Sequence, residues 1–426
     1  MNKLKYDVTV VGAGAAGIAC AYTCAKNGLK TLLIEKNIHA GGLITSGLVM
    51  PVMKLNDCGI NNSFYRILTD TASKNECSIT YSDGNRGWFN LEKLKFIFDY
   101  LLKSVNCDVL YGTYVKNTIW KNNRFLIEAE QEMLSVCIDT TFLVDGTGNG
   151  KIFRELNLEI INDNSNSQAK SLRFLMSNVD VKKFANWISK IDEDKNVTTV
   201  CDVGEETHCS TAYTWDTGKN WALSPIFTKA VNDGILKPSD TAYFQVFTVP
   251  KMPSTIAFNC PRLLPDNTSN NTNSVFSDSE LLIQGRERII RLEKFCKKYL
   301  KGFENAYISN IADMLGTRES IRVKGKKIFT VDDIVTGRKP QNIALASDYP
   351  IDVHSNSPKS DKLEFTKHVW YLPLECLMSD RYDNLFVVGR CLSAEFLAQA
   401  AVRTQANCFS MGEAVANFIT QKRNLK

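Results

Sequence analysis

The segment from Tyr6 to Glu35 constrains the fold of this chain more than any other. A β-branched run, Tyr6 to Val11, feeds the turn Gly12-Ala13-Gly14-Ala15-Ala16-Gly17, which opens a helix, and the strand Thr31 to Ile34 then ends on Glu35. A strand, a Gly-x-Gly-x-x-Gly turn, a helix and a second strand ending in an acid make up a dinucleotide-binding fingerprint. Gly12 permits the tight turn, Gly14 lets the backbone approach a pyrophosphate, and Gly17 lets the helix sit close on the strand. The phosphates then face free N–H groups at the helix N-terminus, with Ala15 and Ala16 in its first turn. Glu35 stands where an acid accepts both ribose hydroxyls and repels a 2′-phosphate, so an unphosphorylated adenine dinucleotide is expected rather than NADP. Lys36 beside it is counted with the cofactor-binding positions.

Bulk properties narrow the class. With 426 residues, 44% of them apolar, the chain can bury two substantial cores. A net charge of +5 is small for this length, and the basic residues are scattered apart from the Lys324 to Lys327 cluster, which reads as a solvated face; no nucleic-acid partner is expected. The start runs directly into a strand containing Asp7, with no signal-peptide core and no bilayer-length apolar run, so a cytoplasmic protein without membrane contact is expected. The 13 cysteines include no Cys-x-x-Cys pair, and Cys20 and Cys24 fall one helical turn apart, as small packing residues do. Free thiols are the expectation. The four histidines lack ligand spacing, and no metal is expected.

Along the chain, residues up to about 160 alternate strand and helix, as a parallel sheet with crossovers requires. Asn90 caps an amphipathic helix through Leu102, and strand segments follow at Val109 to Tyr111, Thr113 to Val115, Phe125 to Ala129, Leu134 to Ile138 and Thr141 to Asp145, the last ending in Gly146-Thr147-Gly148. The composition turns more polar from about 165 to 310, with irregular loops at Asn162 to Gln168 and Pro265 to Asp278 and a long helix to about Lys301. The strand Asn384 to Val388, ending in Gly389-Arg390, and a helix from about Ala400 to Ile419 return the chain to the first domain.

Three features favour FAD over NAD. Gly41-Gly42, followed by Leu43, gives a second close backbone approach for a long buried cofactor. Gly146-Thr147-Gly148 supplies a turn beneath the pyrophosphate. Gly389-Arg390 and the terminal helix reach the far end, where a helix N-terminus favours the negative charge of a reduced flavin. These motifs, together with Gly41 to Gly47, Val144 to Gly148, Gly302 to Ala306, Gly316 to Gly325, Ile351 to His354, Leu385 to Cys391 and Ala401 to Arg403, resemble the FAD-dependent oxidoreductase family related to the fumarate reductase and aspartate oxidase flavoproteins. The resemblance runs over almost the full length. It implies an α/β fold of the glutathione-reductase type: a Rossmann-like, discontinuous FAD-binding domain at 1–165 and 335–426 with an inserted α+β substrate domain at 166–334. It also implies noncovalent FAD and a small-molecule substrate between the domains, with Val115 among the cofactor-binding positions. Similar sequences often carry Ser-Ala-Thr-His after the Gly-Arg-Cys turn; here the run is Leu392-Ser393-Ala394-Glu395-Phe396, without that histidine. Cys58 stands alone after Gly42, which sets disulfide reductase chemistry aside.

A flavin exchanges a hydride at one ring nitrogen, and the protein places the donor carbon and handles a proton. Arg318 and Arg322, four apart, share a face if their segment is helical and then clamp a carboxylate or polarise a carbonyl; the other reading is an ion pair with Glu319 or another acid, with packing of the long stems. The Phe329 to Asp333 segment suggests a strand leaving the site. His354, with Asp352 on the same side of a strand, is the first choice for a general acid or base, ahead of His368. Arg403 either holds substrate or the flavin's pyrimidine side, or bridges the domain seam. The expected function is hydride transfer between FAD and a small polar metabolite, with a separate electron donor or acceptor. An NAD-dependent dehydrogenase without flavin, or a flavoprotein with structural FAD that acts as a binding module, are the alternatives. A homodimer is the base-rate expectation for such an enzyme.

Overall fold

The computed structural model describes residues 3–54, 59–161, 168–212, 221–264, 277–354, 362–364, 366 and 368–425. Strand β1 (Lys3–Val11) leads through the glycine turn into helix α1 (Ala15–Lys26) and then into β2 (Thr31–Ile34). Helix α2 (Leu91–Ser104), capped by the Asn90 side chain on the Lys93 N–H at 3.1 Å, crosses to β3 (Asp108–Leu110). Strands β4 (Thr113–Lys121), β5 (Arg124–Gln131) and β6 (Leu134–Asp145) follow as an antiparallel meander. The sheet order is β3-β2-β1-β6-β5-β4, and the closing strand Leu385–Val387 also pairs with β6. The strands β3, β2, β1, β6 and the closing strand run parallel, which is the Rossmann-like core.

Two segments read separately in the sequence, Leu134 to Ile138 and Thr141 to Asp145, are one continuous strand. The half that alternates apolar and polar pairs with β5, from Phe125↔Thr140 to Gln131↔Leu134. The uniformly apolar half lies between β1 and the closing strand, buried on both faces. The change of pattern thus marks a change of neighbours within one strand. On one face, Leu33, Phe142 and Val144 share a core with α1; Leu32, Ile34 and Leu143 face the other core, with Phe125 and Ile127.

Helix α1 is buried along most of its length because the end of the chain covers it. The expected single terminal helix is two, α3 (Phe396–Val402) and α4 (Gln405–Asn424), broken at Thr404, whose backbone is extended. A Cβ on Gly412 of α4 would come within 2.0 Å of the Ala16 carbonyl oxygen, so only glycine allows this approach. Cys20 and Cys24 are buried free thiols in the same contact.

The middle of the chain forms a six-stranded antiparallel sheet from β7 (Phe174–Ser177), β8 (Thr198–Val203), β9 (Glu206–Ala212), β10 (Gln245–Val249), β11 (Met252–Phe258) and β12 (Tyr307–Ile311), in the order β8-β9-β10-β11-β7-β12. Helices Val181–Ile191, Ser224–Asn232 and Ser277–Tyr299 accompany it. Phe174 and Phe258 stack at 4.2 Å between ring centres, and Phe227, Phe244 and Phe295 extend that aromatic core. By Arg322 the chain has rejoined the first layer: Arg322–Val323 pairs with Ile160–Ile161, and the Phe329 N–H donates to the Ser393 carbonyl. Residues 322–334 therefore lie against the nucleotide-binding layer, although the sequence reading placed them in the inserted domain. The expected strand near Phe329 to Asp333 is instead a helix, Val331–Thr336, fixed by a Thr330/Asp333 capping box that the apolar pattern hid. The loop expected at Asn162 to Gln168, apart from Gln168, most of the one at Pro265 to Asp278, and Cys58 lie outside the described residues.

Candidate functional site

The glycine turn has one open face. Cβ atoms built on Gly12 and Gly17 would strike backbone, at 2.5 Å from the Gly146 oxygen and 1.9 Å from the Gly12 oxygen, whereas one on Gly14 meets nothing within 4 Å. Gly14 caps α1 in extended conformation, and the first helical bond is Ile18 N–H to the Gly14 carbonyl at 2.9 Å, leaving the N–H groups of Ala15, Ala16 and Gly17 without helical acceptors. This is an anion cradle at a helix N-terminus. Gly41 joins it by donating its N–H to Ala13, and a Cβ on Gly42 would lie 3.0 Å from the Gly14 Cα.

Glu35 is buried at the end of β2, where Oε2 accepts the Ala13 N–H at 2.6 Å and Oε1 the Asn37 N–H at 2.9 Å. Both oxygens keep lone pairs for further donors. Lys36 is exposed, and Val115 is buried on β4 in the core that also holds Leu32 and Ile34. Below the cradle, Gly146 donates to the Val11 carbonyl, and Asp145 shapes the turn by accepting the Thr147 N–H and hydroxyl and the Ile152 N–H. Gly389 has φ +88, a conformation glycine adopts without strain. Arg390 donates to the Gly148 and Thr317 carbonyls at 2.7 Å each, which ties the third glycine turn to the segment that carries Arg318.

From this junction a cavity of about 550 Å³ extends between the two layers. Leu43, Gly316, Thr317, Arg390, Thr404 and Gln405 line one part of it. Thr404 is the N-cap and Gln405 the first residue of α4, so a helix N-terminus opens on the cavity. The break between α3 and α4, which no glycine or proline announces in the sequence, puts Arg403 on the cavity wall.

Four arginines from distant segments, Arg173, Arg318, Arg390 and Arg403, line this one cavity. Arg173 donates to the Leu48 and Met50 carbonyls, and Arg318 to the Ala169 carbonyl at 2.7 Å. Arg403 donates to the Asp352 carbonyl at 2.9 Å, and its Nη2 lies 3.5 Å from the Asp352 carboxylate; both residues fall within the 335–426 segment, so this pair lines the cavity wall without crossing the expected domain seam. Burial, followed by repulsion from Arg403, pushes the Arg318 guanidinium down to about 9, and burial takes Arg173 down to about 10. Such crowding of like charge is costly in an empty pocket and is relieved by an anion.

Arg322 does not join them. No helix spans Arg318 and Arg322; Arg322 starts a short strand, donates to the Ala394 carbonyl at 3.0 Å and lies 3.8 Å from Glu319. The ion-pair reading fits Arg322, and the clamp expected from two arginines on one helical face is withdrawn.

His354 lines the cavity, but its ring nitrogens are engaged. A guanidinium only donates, so Nδ1 accepts from Arg262 Nη2 at 3.3 Å; the ring proton then sits on Nε2, 3.4 Å from Asp352 Oδ1. Burial and the nearby Arg318 push its pKa down to about 3. Burial alone would raise Asp352, yet His354, Arg403 and Arg318 hold its carboxyl well below the usual range. His354 is therefore neutral at pH 7 and not the freely titrating acid or base expected from the sequence. The pair makes the fold acid-sensitive. An unfolded histidine titrates near 6.5 and the folded one near 3, so the unfolded chain binds the extra proton between those values. Stability measured by urea unfolding is expected to fall as pH drops below about 6.5, by about 1.4 kcal/mol per unit from this group. His354→Asn should flatten that slope; an unchanged slope would assign the acid sensitivity elsewhere.

His368 is exposed, with Nε2 3.0 Å from the Ile334 carbonyl, and is not among the cavity-lining residues. Buried Phe396 stands in place of the absent histidine, and Glu395 before it is exposed and accepts the Val331 N–H at 2.9 Å; neither is among the cavity-lining residues. Sequence reasoning missed Arg173, Arg262 and Tyr243. The signal for Arg173 was present, as a lone charge inside the apolar run Leu172 to Met176.

The model of the family described as FAD dependent oxidoreductase matches residues 7–422. This chain belongs to the FAD dependent oxidoreductase family. Its cofactor is FAD, and the flavin-free NAD alternative is withdrawn. Among curated proteins, the chain is similar to thiamine thiazole synthase of Sulfolobus acidocaldarius, 24% identical over 164 residues, which is 35% of this chain and 57% of that protein. It is likewise similar to thiamine thiazole synthase of Pyrococcus horikoshii, 26% identical over 161 residues, 35% of this chain and 60% of that protein. The chain thus matches less than two thirds of either relative. Solved structures similar over nearly the whole chain include a geranylgeranyl bacteriochlorophyll reductase-like protein from Thermoplasma acidophilum (15% identity, TM-score 0.44, 100% of this chain and 80% of that one). Another is the halogenase PltM (10% identity, TM-score 0.48, 99% and 70%). The kinship with fumarate reductase and aspartate oxidase flavoproteins is finer than the family model resolves. No helix among the described residues is long and apolar enough to cross a membrane.

Proposed function

We propose that this flavoenzyme transfers a hydride between FAD and a small molecule carrying a carboxylate, with a separate donor or acceptor completing the electron flow. The observation that carries the reading is the charge of the cavity wall: Arg173, Arg318, Arg390, Arg403 and Lys54 against Asp83 and Asp352, with His354 neutral. FAD, when bound, supplies the two-electron chemistry. The chain supplies recognition and position. Arg318 and Arg403 offer planar donor forks to a carboxylate, Asp352 fixes Arg403, and His354 passes that restraint on to Arg262. The cradle around Gly14 holds the pyrophosphate, and the N-terminus of α4 favours negative charge at the cavity end of the cofactor.

The test pairs a set of carboxylic acids with their neutral amides and follows the flavin absorption of the holoprotein. Acids are expected to perturb the spectrum at concentrations where their amides do not. Equal response to both members of each pair would reject the carboxylate reading.

A further inference from the structure

The cationic part of the cavity explains how an anion is held, but not why its other part is aromatic. Strand β10 serves as a ruler across it. Near the arginines, Gln245 Oε1 accepts from the Tyr243 hydroxyl at 2.8 Å and from Asn259 Nδ2 at 2.6 Å, and Arg262 lies over the Tyr243 ring at 4.9 Å. Two residues further, on the same face and therefore roughly 7 Å along the strand, Phe247 also lines the cavity.

Phe247 meets Trp88 edge-on at 5.7 Å, and Trp88 stacks on Tyr81 at 4.5 Å with only 20° between the rings. Tyr81 and Trp88 come from the 78–89 hairpin of the first layer, and the Tyr81 hydroxyl lies 3.1 Å from Thr199 of β8. All three rings line the same cavity as Arg318 and Arg403. An aromatic wall built across two layers, in the same cavity as a group of arginines, matches a ligand with a charged end and a flat apolar end.

We infer that the substrate class of this site is an aryl-substituted carboxylic acid, its carboxylate at Arg318 and Arg403 and its ring against Tyr81, Trp88 and Phe247. The inference rests on the carboxylate reading above and adds the aromatic end. A short aliphatic acid satisfies the arginines but does not reach that wall.

The experiment titrates the FAD-loaded full-length protein with phenylacetate, acetate and succinate, following the flavin spectrum. Phenylacetate is expected to bind at least about tenfold more tightly than either aliphatic acid. Trp88→Ala is expected to lower phenylacetate affinity about tenfold and to leave acetate affinity within about twofold. Phe247→Leu, which keeps most of the side-chain volume, should act in the same direction and stands in if Trp88→Ala does not fold, as judged by circular dichroism and FAD content. Acetate or succinate binding as tightly as phenylacetate would overturn the inference while leaving the carboxylate reading intact, as would aromatic-wall variants that weaken all three acids equally. Failure of all three acids to bind would remove both.

Discussion

Gly14→Leu is expected to yield a folded protein that purifies without flavin. The substitution separates cofactor binding from folding because Gly14 has space on its open side and an extended backbone that any residue adopts. A leucine there fills the room in front of the α1 N-terminus, where the pyrophosphate is to sit, and disturbs no protein contact within 4 Å of the built Cβ. Gly17→Ala is the contrasting case. Its Cβ falls 1.9 Å from the Gly12 oxygen, so the helix must move off the strand and the whole layer is destabilised. Flavin per chain and the thermal midpoint, measured on both variants, check the pair: no flavin with a midpoint equal to that of wild-type apoprotein for Gly14→Leu, and a lowered midpoint for Gly17→Ala. A Gly14→Leu protein that retains FAD would show that the pyrophosphate does not lie over this turn.

Arg318→Ala is expected to keep FAD and to lose about 10²- to 10³-fold in kcat/KM, mainly through KM. The side chain touches the cavity and the Ala169 carbonyl, so its removal takes away a ligand contact and one hydrogen bond. Arg318→Lys should recover part of the loss, because it restores a point charge but not the planar fork. Loss of flavin from Arg318→Ala would instead place the residue in cofactor binding.

Much of the nucleotide-binding layer was legible because glycine is used there for backbone reasons that leave a mark in the sequence. Gly12 and Gly17 touch backbone and Gly389 takes a positive φ, so these positions exclude other residues for a local cause, whereas Gly14 faces open space where a side chain would meet a bound pyrophosphate. The substrate side was less legible. Arg173, Arg318, Arg390 and Arg403 come from distant segments to line one cavity, and nothing in their spacing along the chain encodes that meeting. The pairing of Arg318 with Arg322 failed because it assumed a helix, whereas the segment between them is irregular and turns Arg322 toward Ala394. The split between α3 and α4 was hidden because Arg403 and Thr404 are ordinary helix residues by composition, and the break is imposed by packing and by the Asp352 contacts. His354 and Asp352 were found as neighbours on a strand, but the guanidinium that fixes the histidine's tautomer comes from Arg262 in another part of the chain.

The most direct measurement is anaerobic visible spectroscopy of the purified holoprotein, mixed first with NADH and then, in separate samples of oxidised and reduced enzyme, with the acids and amides of the paired set. The expected result is a flavin band that at least one carboxylic acid bleaches in the oxidised enzyme or restores in the reduced one, while its amide does neither. A flavin band that exchanges electrons with neutral compounds as readily as with acids would contradict the assignment of the arginine-lined cavity to a carboxylate substrate.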